Sequence, residues 1–516
     1  MRELHQFCCN NLLIIQRILM ILLNRSTWQL AVISGILVGL SYLHMRLNFF
    51  VYFGFIPILH CWILNDKWDN LKSGYIFGIT YNIISNYWIG TNSGAEFYVV
   101  ILSLIFAVLY LSIFWGIAGF VYGKIKTDYN NFIALPFLIV TLEWIRSFGP
   151  LGFPWGNLAL TQVDYLLLLQ LIDFTGPYFL SFIIIIINLV VYKSLVKKDF
   201  FLKNLKIIVL LPIIIIAFGY IRIKTLKYLN HNINIAVIQP NIDPNEKWDY
   251  NTRKLTISFM DSLYNKAISL NPDIILFPET ALPTYLRINN NIRNNIQQKV
   301  NQSGIPALIG TIDRDFDSLG NKIYYNSAIY FSPNEQFAMY NKIHLVPFAE
   351  YDLVPNFLSP LEKLNLNINR GIFKKGDNFT LFKWENINFA DLICYESSFP
   401  RYAREFVKKG ANILMIQAND GWLGKSAGPY QHFAHARLRA IENRIPIVRC
   451  GNTGISGVIL PTGEIKIQIP IDEEVVFKEK ISLNNSGTFY TYYGDVFAAI
   501  SFVIFLFLGP VNCLKK

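Results

Sequence analysis

The apolar residues of this chain are gathered into runs long enough to fill a bilayer. A hydrocarbon core about 30 Å thick needs about 20 mostly apolar residues in a helix. Stretches of that kind fall at roughly 28–45, 49–64, 72–90, 98–123, 131–148, 174–195 and 206–222, and one more at 488–509. Between the two sets, residues 230–485 read as an ordinary mixed domain. Only 16% of the 516 residues are charged, against about 25% in a typical soluble domain, and 53% are hydrophobic. A plain soluble enzyme, a disordered chain and a fibrous repeat are excluded. The expected organisation is a lead-in at 1–27, a multi-span α-helical membrane domain of about seven helices at 28–229, a polar domain at 230–485, and a final transmembrane helix with a short cytoplasmic tail at 486–516. The stretch 11–23 is apolar but short and holds Arg17; no A-x-A-like site follows it, so it reads as an interfacial lead-in rather than a cleaved signal.

Loop charges give an orientation. Arg17 and Arg25 precede the first span, Lys67 and Lys72 flank the second-to-third loop, and Lys124 and Lys126 follow the fourth span. Lys193, Lys197, Lys198, Lys203 and Lys206 mark the sixth-to-seventh loop, whereas 91–97 and about 149–173 contain no Lys or Arg. This alternation puts the N-terminus, Lys515 and Lys516 inside and residues 230–485 outside; Arg222, Lys224 and Lys227 stand against it. The net charge of +11 therefore serves topology, and no nucleic-acid-binding motif accompanies it. The six cysteines (Cys8, Cys9, Cys61, Cys394, Cys450 and Cys513) show neither CxxC nor a zinc spacing, and Cys450 reads as a small buried hydrophobe.

After His231 short β-rich runs alternate with helical stretches, which predicts an α/β domain with a sheet covered by helices. Expected strands are Ile233–Gln239, Asp273–Phe277, Ala307–Thr311, Tyr325–Phe331, Phe389–Tyr395, Ile413–Ala418, Ile447–Cys450 and Ser456–Leu460; expected helices are Thr252–Leu270, Ala403–Lys409 and Gln431–Asn443. Three apolar runs end in an ionisable residue: Glu279 in Phe-Pro-Glu-Thr, Lys342 in Tyr-Asn-Lys-Ile-His-Leu-Val-Pro-Phe-Ala-Glu, and Cys394 in Ile-Cys-Tyr-Glu. Residues just beyond strand ends share one rim of an α/β sheet and can meet despite wide separation in sequence. A thiol with a pKa near 8.5 needs a base or a cation to become a nucleophile, and attack on a carbonyl builds an oxyanion that a Lys or backbone N–H groups can stabilise. Cys394 then serves as nucleophile, Glu279 as general acid/base and Lys342 as electrostatic stabiliser. Taken singly, each has an ordinary alternative: a turn carboxylate, a solvated ammonium, a packed thiol.

With these motifs the chain resembles the nitrilase superfamily, whose members use a Glu–Lys–Cys triad on an α-β-β-α sandwich, and within it the membrane branch, the apolipoprotein N-acyltransferases. Further matching segments are Ala418-Asn-Asp-Gly-Trp-Leu-Gly-Lys-Ser-Ala-Gly-Pro-Tyr-Gln-His-Phe433, Ala436-Arg-Leu-Arg-Ala-Ile-Glu442, Gly451-Asn-Thr-Gly-Ile-Ser-Gly-Val-Ile459, Glu143-Trp-Ile-Arg146 and Gly152-Phe-Pro-Trp-Gly-Asn157. The resemblance implies that Cys394 takes a fatty acyl chain from a phospholipid as a thioester. It then passes the chain to the α-amine of the S-diacylglyceryl cysteine of a lipoprotein. It also implies that Glu350 orients Lys342, that Tyr395 and Glu396 follow the nucleophile in the family's pattern, and that Trp248 lies on an active-site loop. Trp248 and Tyr395 could equally pack, and Glu396 could tether a loop. Ala418 and Leu423 depart from the family's usual Ser and Phe.

Glu143 and Arg146 lie near a span end and could simply pair. His432 and His435, and Gly424-Lys-Ser426, lack the surrounding residues of a metal site or a P-loop and read as structural, so neither metal nor cofactor is expected. Burial of hydrocarbon contributes about 0.8 kcal/mol per CH₂, so an acyl chain costs on the order of 10 kcal/mol to draw into water. The active site must therefore come to the lipid, with Trp88, Phe153 and Trp155 as candidates to line a lateral opening or to form an interfacial belt. The expectation is a monomer in the bacterial inner membrane with its catalytic domain facing the periplasm. A membrane-tethered amidase, with water as acceptor, and a ligand-binding transporter are the competing classes.

Overall fold

The computed structural model describes residues 23–126, 133–196, 198–351, 373–484 and 487–508. The lead-in through residue 22, Cys8, Cys9, Cys513 and the tail from residue 509 lie outside the described residues.

Helices stand at all eight expected spans. They are α1 (Thr27–Leu40), a 3₁₀ segment Met45–Tyr52 leading into α2 (Ile56–Leu64), α3 (Lys67–Asn86), α4 (Phe97–Ile125), α5 (Ala134–Arg146), α6 (Tyr178–Val196), α7 (Lys198–Lys224) and, after the polar domain, a helix Val496–Leu508. By length and composition Arg46–Leu64, Phe97–Ile125, Tyr178–Val196 and Asn204–Lys224 can cross a membrane. α3 is as long but more polar, and packing explains why. It turns Asn70, Ser73, Gly74, Gly78, Asn82 and Ser85 inward, where small residues let backbones approach. A Cβ at Gly119 of α4 would lie only 2.1 Å from the Asn70 carbonyl oxygen. The opposite face of α4 presents Leu102, Ile105, Phe106, Leu109 and Ile113 outward, as a lipid-facing helix requires.

The polar domain contains two six-stranded sheets. The first has the order β12-β1-β2-β3-β4-β5, formed by β1 (Tyr228–Gln239), β2 (Ile274–Leu276), β3 (Ala307–Phe316), β4 (Lys322–Phe331), β5 (Ala338–Asn341) and β12 (Val475–Asn484). The second has the order β11-β10-β9-β8-β7-β6, formed by β6 (Phe382–Trp384), β7 (Ile387–Ile393), β8 (Ile413–Ala418), β9 (Ile447–Gly451), β10 (Ser456–Ile459) and β11 (Ile465–Ile469). Each sheet has a parallel centre, β1-β2-β3 and β7-β8-β9, because helices serve as the crossovers. α8 (Tyr250–Ser269) and α9 (Asn290–Ser303) cover the first sheet; α10 (Pro400–Lys408) and α11 (Gly428–Asn443) cover the second. Gln417 Nε2 donates across the inter-sheet space to the Phe277 carbonyl at 2.7 Å, and the buried Cys450 thiol to that of Ile238. The result is the α-β-β-α sandwich.

The short strands β5, β6 and β11, together with α9 and β12, go beyond the sequence expectation. α9 is Asn- and Gln-rich, yet Ile292, Ile296 and Val300 recur every fourth residue, with Asn289 capping its start and Gly304 turning left-handed at its end. β12 runs from Val475-Val-Phe through the charged Lys478-Glu-Lys480 to buried Ile481 and Leu483, and pairs with β1 from Gln239 through Asn232.

The membrane helices and the sandwich share one continuous core, which runs from Leu30 and Trp62 to Ile393 and Phe433. Gln431 of α11 joins the two parts: its Oε1 accepts from Trp88 Nε1 (3.0 Å) and Trp155 Nε1 (2.7 Å), and its Nε2 donates to the carbonyls of Tyr42 and Ser85. Trp88 and Trp155 are therefore buried fasteners rather than the rim of an opening. Glu143 and Arg146 do not pair with each other among the described residues; they hold the backbone of the 152–158 loop, at Leu158 N (2.9 Å) and the Gly156 carbonyl (2.8 Å). Arg222, which stood against the charge alternation, is consumed by the buried Asp173, which also takes Arg444 of the polar domain.

Candidate active site

β2, β5 and β7 deliver one ionisable residue each. β4 is antiparallel to β3, and β5 to β4, so β5 runs in the direction of β2 and their C-terminal ends share a rim. Glu279 lies in the turn after β2, where Gly310 on β3 permits close approach: a Cβ there would fall 2.4 Å from the Pro278 carbonyl oxygen. Lys342 follows β5 directly. Cys394 begins a 3₁₀ turn just past β7, which ends at Ile393, two residues before the expected strand end at Tyr395. Its φ of +53° is uncommon for a residue with a side chain, and such backbone strain persists only where the surroundings enforce it.

The Lys342 ammonium is fully buried and sits 2.8 Å from Glu350 Oε2, 3.0 Å from Glu350 Oε1 and 3.7 Å from Glu279 Oε1. Burial alone would strip its proton; Glu350, and then Glu279, outweigh that and keep it charged. Asn326 Nδ2 donates to Glu279 Oε1 and to Glu350 Oε1, both at 2.8 Å, and so fixes the two carboxylates relative to each other. Burial pushes the Cys394 thiol well above its ordinary value, the Glu279 charge adds to that, and Lys342 opposes it. Burial thus favours the neutral thiol over the thiolate.

Glu396 is a tether. Its Oε1 accepts from Tyr340 Oη (2.9 Å), Ile343 N (2.7 Å) and His344 N (3.0 Å), and its Oε2 from Ile393 N (2.8 Å), which ties the Lys342 loop to the Cys394 turn. Tyr395 packs as well: its ring stacks on Trp155 and its hydroxyl donates to the Gly152 carbonyl at 3.2 Å. Trp248 is 40% exposed on the loop after β1. Its neighbour Lys247, which the sequence did not single out, is buried and donates to Thr280 O (2.9 Å) and Thr280 Oγ1 (2.8 Å), directly beside Glu279. Asn326 was also missed; a polar residue in the buried half of β4 was its signal. Around the departures Ala418 and Leu423, the 420–424 turn meets the membrane part: the Leu423 carbonyl accepts from Thr91 Oγ1, and that of Trp422 from Ser93 N.

Residues 234–489 match the carbon-nitrogen hydrolase family, and residues 34–190 match the apolipoprotein N-acyltransferase N-terminal domain. The chain is 31% identical over 490 residues to the apolipoprotein N-acyltransferase of Geobacter metallireducens, covering 92% of this chain and 93% of that protein. The chain belongs to the apolipoprotein N-acyltransferase family. The enzyme of that name from Rickettsia prowazekii is 30% identical over 482 residues, covering 88% and 93% of the two chains. Among solved structures, the sandwich is similar to Saccharomyces cerevisiae Nit3, described as a member of branch 10 of the nitrilase superfamily, at a TM-score of 0.38 and 17% identity over 50% of this chain and 91% of that one. Like the rest of its family, the chain is a membrane acyltransferase of lipoprotein maturation, with lipid as donor and lipoprotein as acceptor.

Proposed function

We propose that Cys394 carries the acyl chain, Glu279 moves the protons and Lys342 holds the developing oxyanion. Cys394 Sγ attacks the ester carbonyl of a phospholipid while Glu279 takes the thiol proton. The tetrahedral intermediate then collapses, the C–O bond breaks, and Glu279 returns the proton to the departing glycerol oxygen, which leaves a lysophospholipid and a thioester. In the second half the lipoprotein α-amine attacks the thioester, Glu279 accepts its proton, and the proton goes to the departing sulfur as the amide forms. Glu350 and Asn326 keep Lys342 and Glu279 in register throughout.

The observation that carries this reading is the buried Lys342 ammonium held between Glu350 and Glu279 beside a cysteine in a strained elbow. A preorganised cation in a dry site is worth most where charge develops. Loop charges support a chain embedded in the bacterial inner membrane, with residues 230–485 as the periplasmic catalytic domain between spans at 28–229 and 486–516. In reconstituted vesicles, Glu279→Gln should form thioester at least about 100-fold more slowly. Turnover should require a diacylglyceryl peptide. Normal acylation by the variant, or equal turnover with water alone, would overturn the assignment.

A further inference from the structure

His432 looked like a structural histidine in sequence, yet the fold sets it behind the nucleophile. It is buried on α11, and its Nε2 lies 3.0 Å from the Cys394 carbonyl oxygen and 2.9 Å from Ser397 Oγ. Ser397 Oγ donates to that carbonyl at 2.8 Å. On its other side His432 Nδ1 lies 2.7 Å from Asp420 Oδ1, and Asp420 Oδ2 accepts from Arg449 Nη2 at 2.5 Å. A nitrogen of His432, a carboxylate oxygen of Asp420 and Cys394 Sγ all lie within 4.8 Å of one another. Burial works against the Asp420 charge, but His432 and Arg449 outweigh it and hold the carboxyl down to about 2, so the anchor stays ionised across the working pH range.

We infer that the Arg449–Asp420–His432 chain positions the nucleophile, by locking the Cys394 carbonyl and with it the left-handed elbow that aims Sγ. A residue with a side chain is strained in that conformation and relaxes unless its surroundings over-determine it. The Ser397 hydroxyl, with His432 Nε2 held against both it and the carbonyl oxygen, supplies that constraint. The peptide plane is rigid, so the same contacts also fix the direction of the Tyr395 N–H, trans to that oxygen. Trp155, from the loop between α5 and α6, packs its ring 5.1 Å from that of His432, so the membrane part buttresses the same support. His432 is thus a positioning residue that acts through Cys394.

The inference rests on Cys394 being the nucleophile, and the test separates the two. Single-turnover thioester formation from phospholipid vesicles is measured by intact mass for full-length wild type, Cys394→Ala, His432→Phe, His432→Gln and Asp420→Asn. His432→Phe fills the space without a donor and should slow acylation about 10- to 100-fold at unchanged half-saturation by phospholipid. His432→Gln, which keeps an N–H, should recover to within about threefold, and Asp420→Asn should fall between. Acylation at wild-type speed in His432→Phe, with Cys394→Ala inactive, would overturn the positioning role alone. An adduct on Cys394→Ala would overturn the nucleophile itself. If His432→Phe does not fold, Asp420→Asn decides: wild-type speed there overturns the proposal, and slowed acylation at an unchanged melting temperature supports it.

Discussion

At Lys342 one ammonium is shared unequally by two carboxylates, 2.8 Å from Glu350 and 3.7 Å from Glu279. In the proposed mechanism the nearer one anchors the charge and the farther one carries the proton. Lys342→Met should cost the acylation step about 2.7–4 kcal/mol, read as a 10²- to 10³-fold fall in single-turnover rate. Lys247 offers a pH-dependent counterpart. Burial pulls its ammonium down to about 8, with the Glu279 charge acting the other way. An unfolded lysine titrates near 10.4, so between these values the unfolded chain binds more protons and stability from this group rises with pH. That gain is complete above about 10.4 and is lost as pH falls through about 8. The melting temperature of wild type relative to Lys247→Met should therefore rise from pH 8 to pH 10; a constant difference would show that Lys247 does not titrate there. Glu279, Lys342 and Cys394 stood out in the sequence because each closes an apolar run. Lys247, Asn326 and His432 were not, because their partners come from other strands and helices and no local spacing encodes them.

At the scale of elements, α3 and α4 were both visible as apolar stretches, but the division of labour between them was not. α4 faces outward with large aliphatic residues, whereas α3 hides amides and glycines against it. Gly119 marks their closest approach, so Gly119→Val forces the helices apart. It should lower stability in detergent by about 1–3 kcal/mol or more, seen as a lower melting temperature. An unchanged melting temperature would mean that the α3–α4 contact is looser than described. In the polar domain the parallel central strands were readable as apolar runs. β12 was not, because the charged run Lys478-Glu-Lys480 interrupts the apolar residues of this edge strand, and α9 was not, because its asparagines obscure a four-residue apolar repeat.

Across the whole molecule, the membrane helices and the sandwich cannot be treated as an anchor and a cargo. Their core is continuous, Gln431 binds both, and Trp155 reaches from one to His432 in the other. Orientation is a matter at this scale. Leu319 is 85% exposed on the β3–β4 turn, far in sequence from every span. In a Cys394→Ala background, Leu319→Cys should react with a membrane-impermeant maleimide in intact spheroplasts. Labelling only after membrane disruption would place the sandwich in the cytosol.

The most direct test of the account is the intact mass of the purified enzyme after incubation with phospholipid vesicles and no acceptor. Wild type should gain one fatty acyl mass that hydroxylamine removes and a diacylglyceryl peptide discharges, while Cys394→Ala gains nothing. A wild-type protein that never acquires the acyl mass, or a Cys394→Ala protein that does, would contradict it.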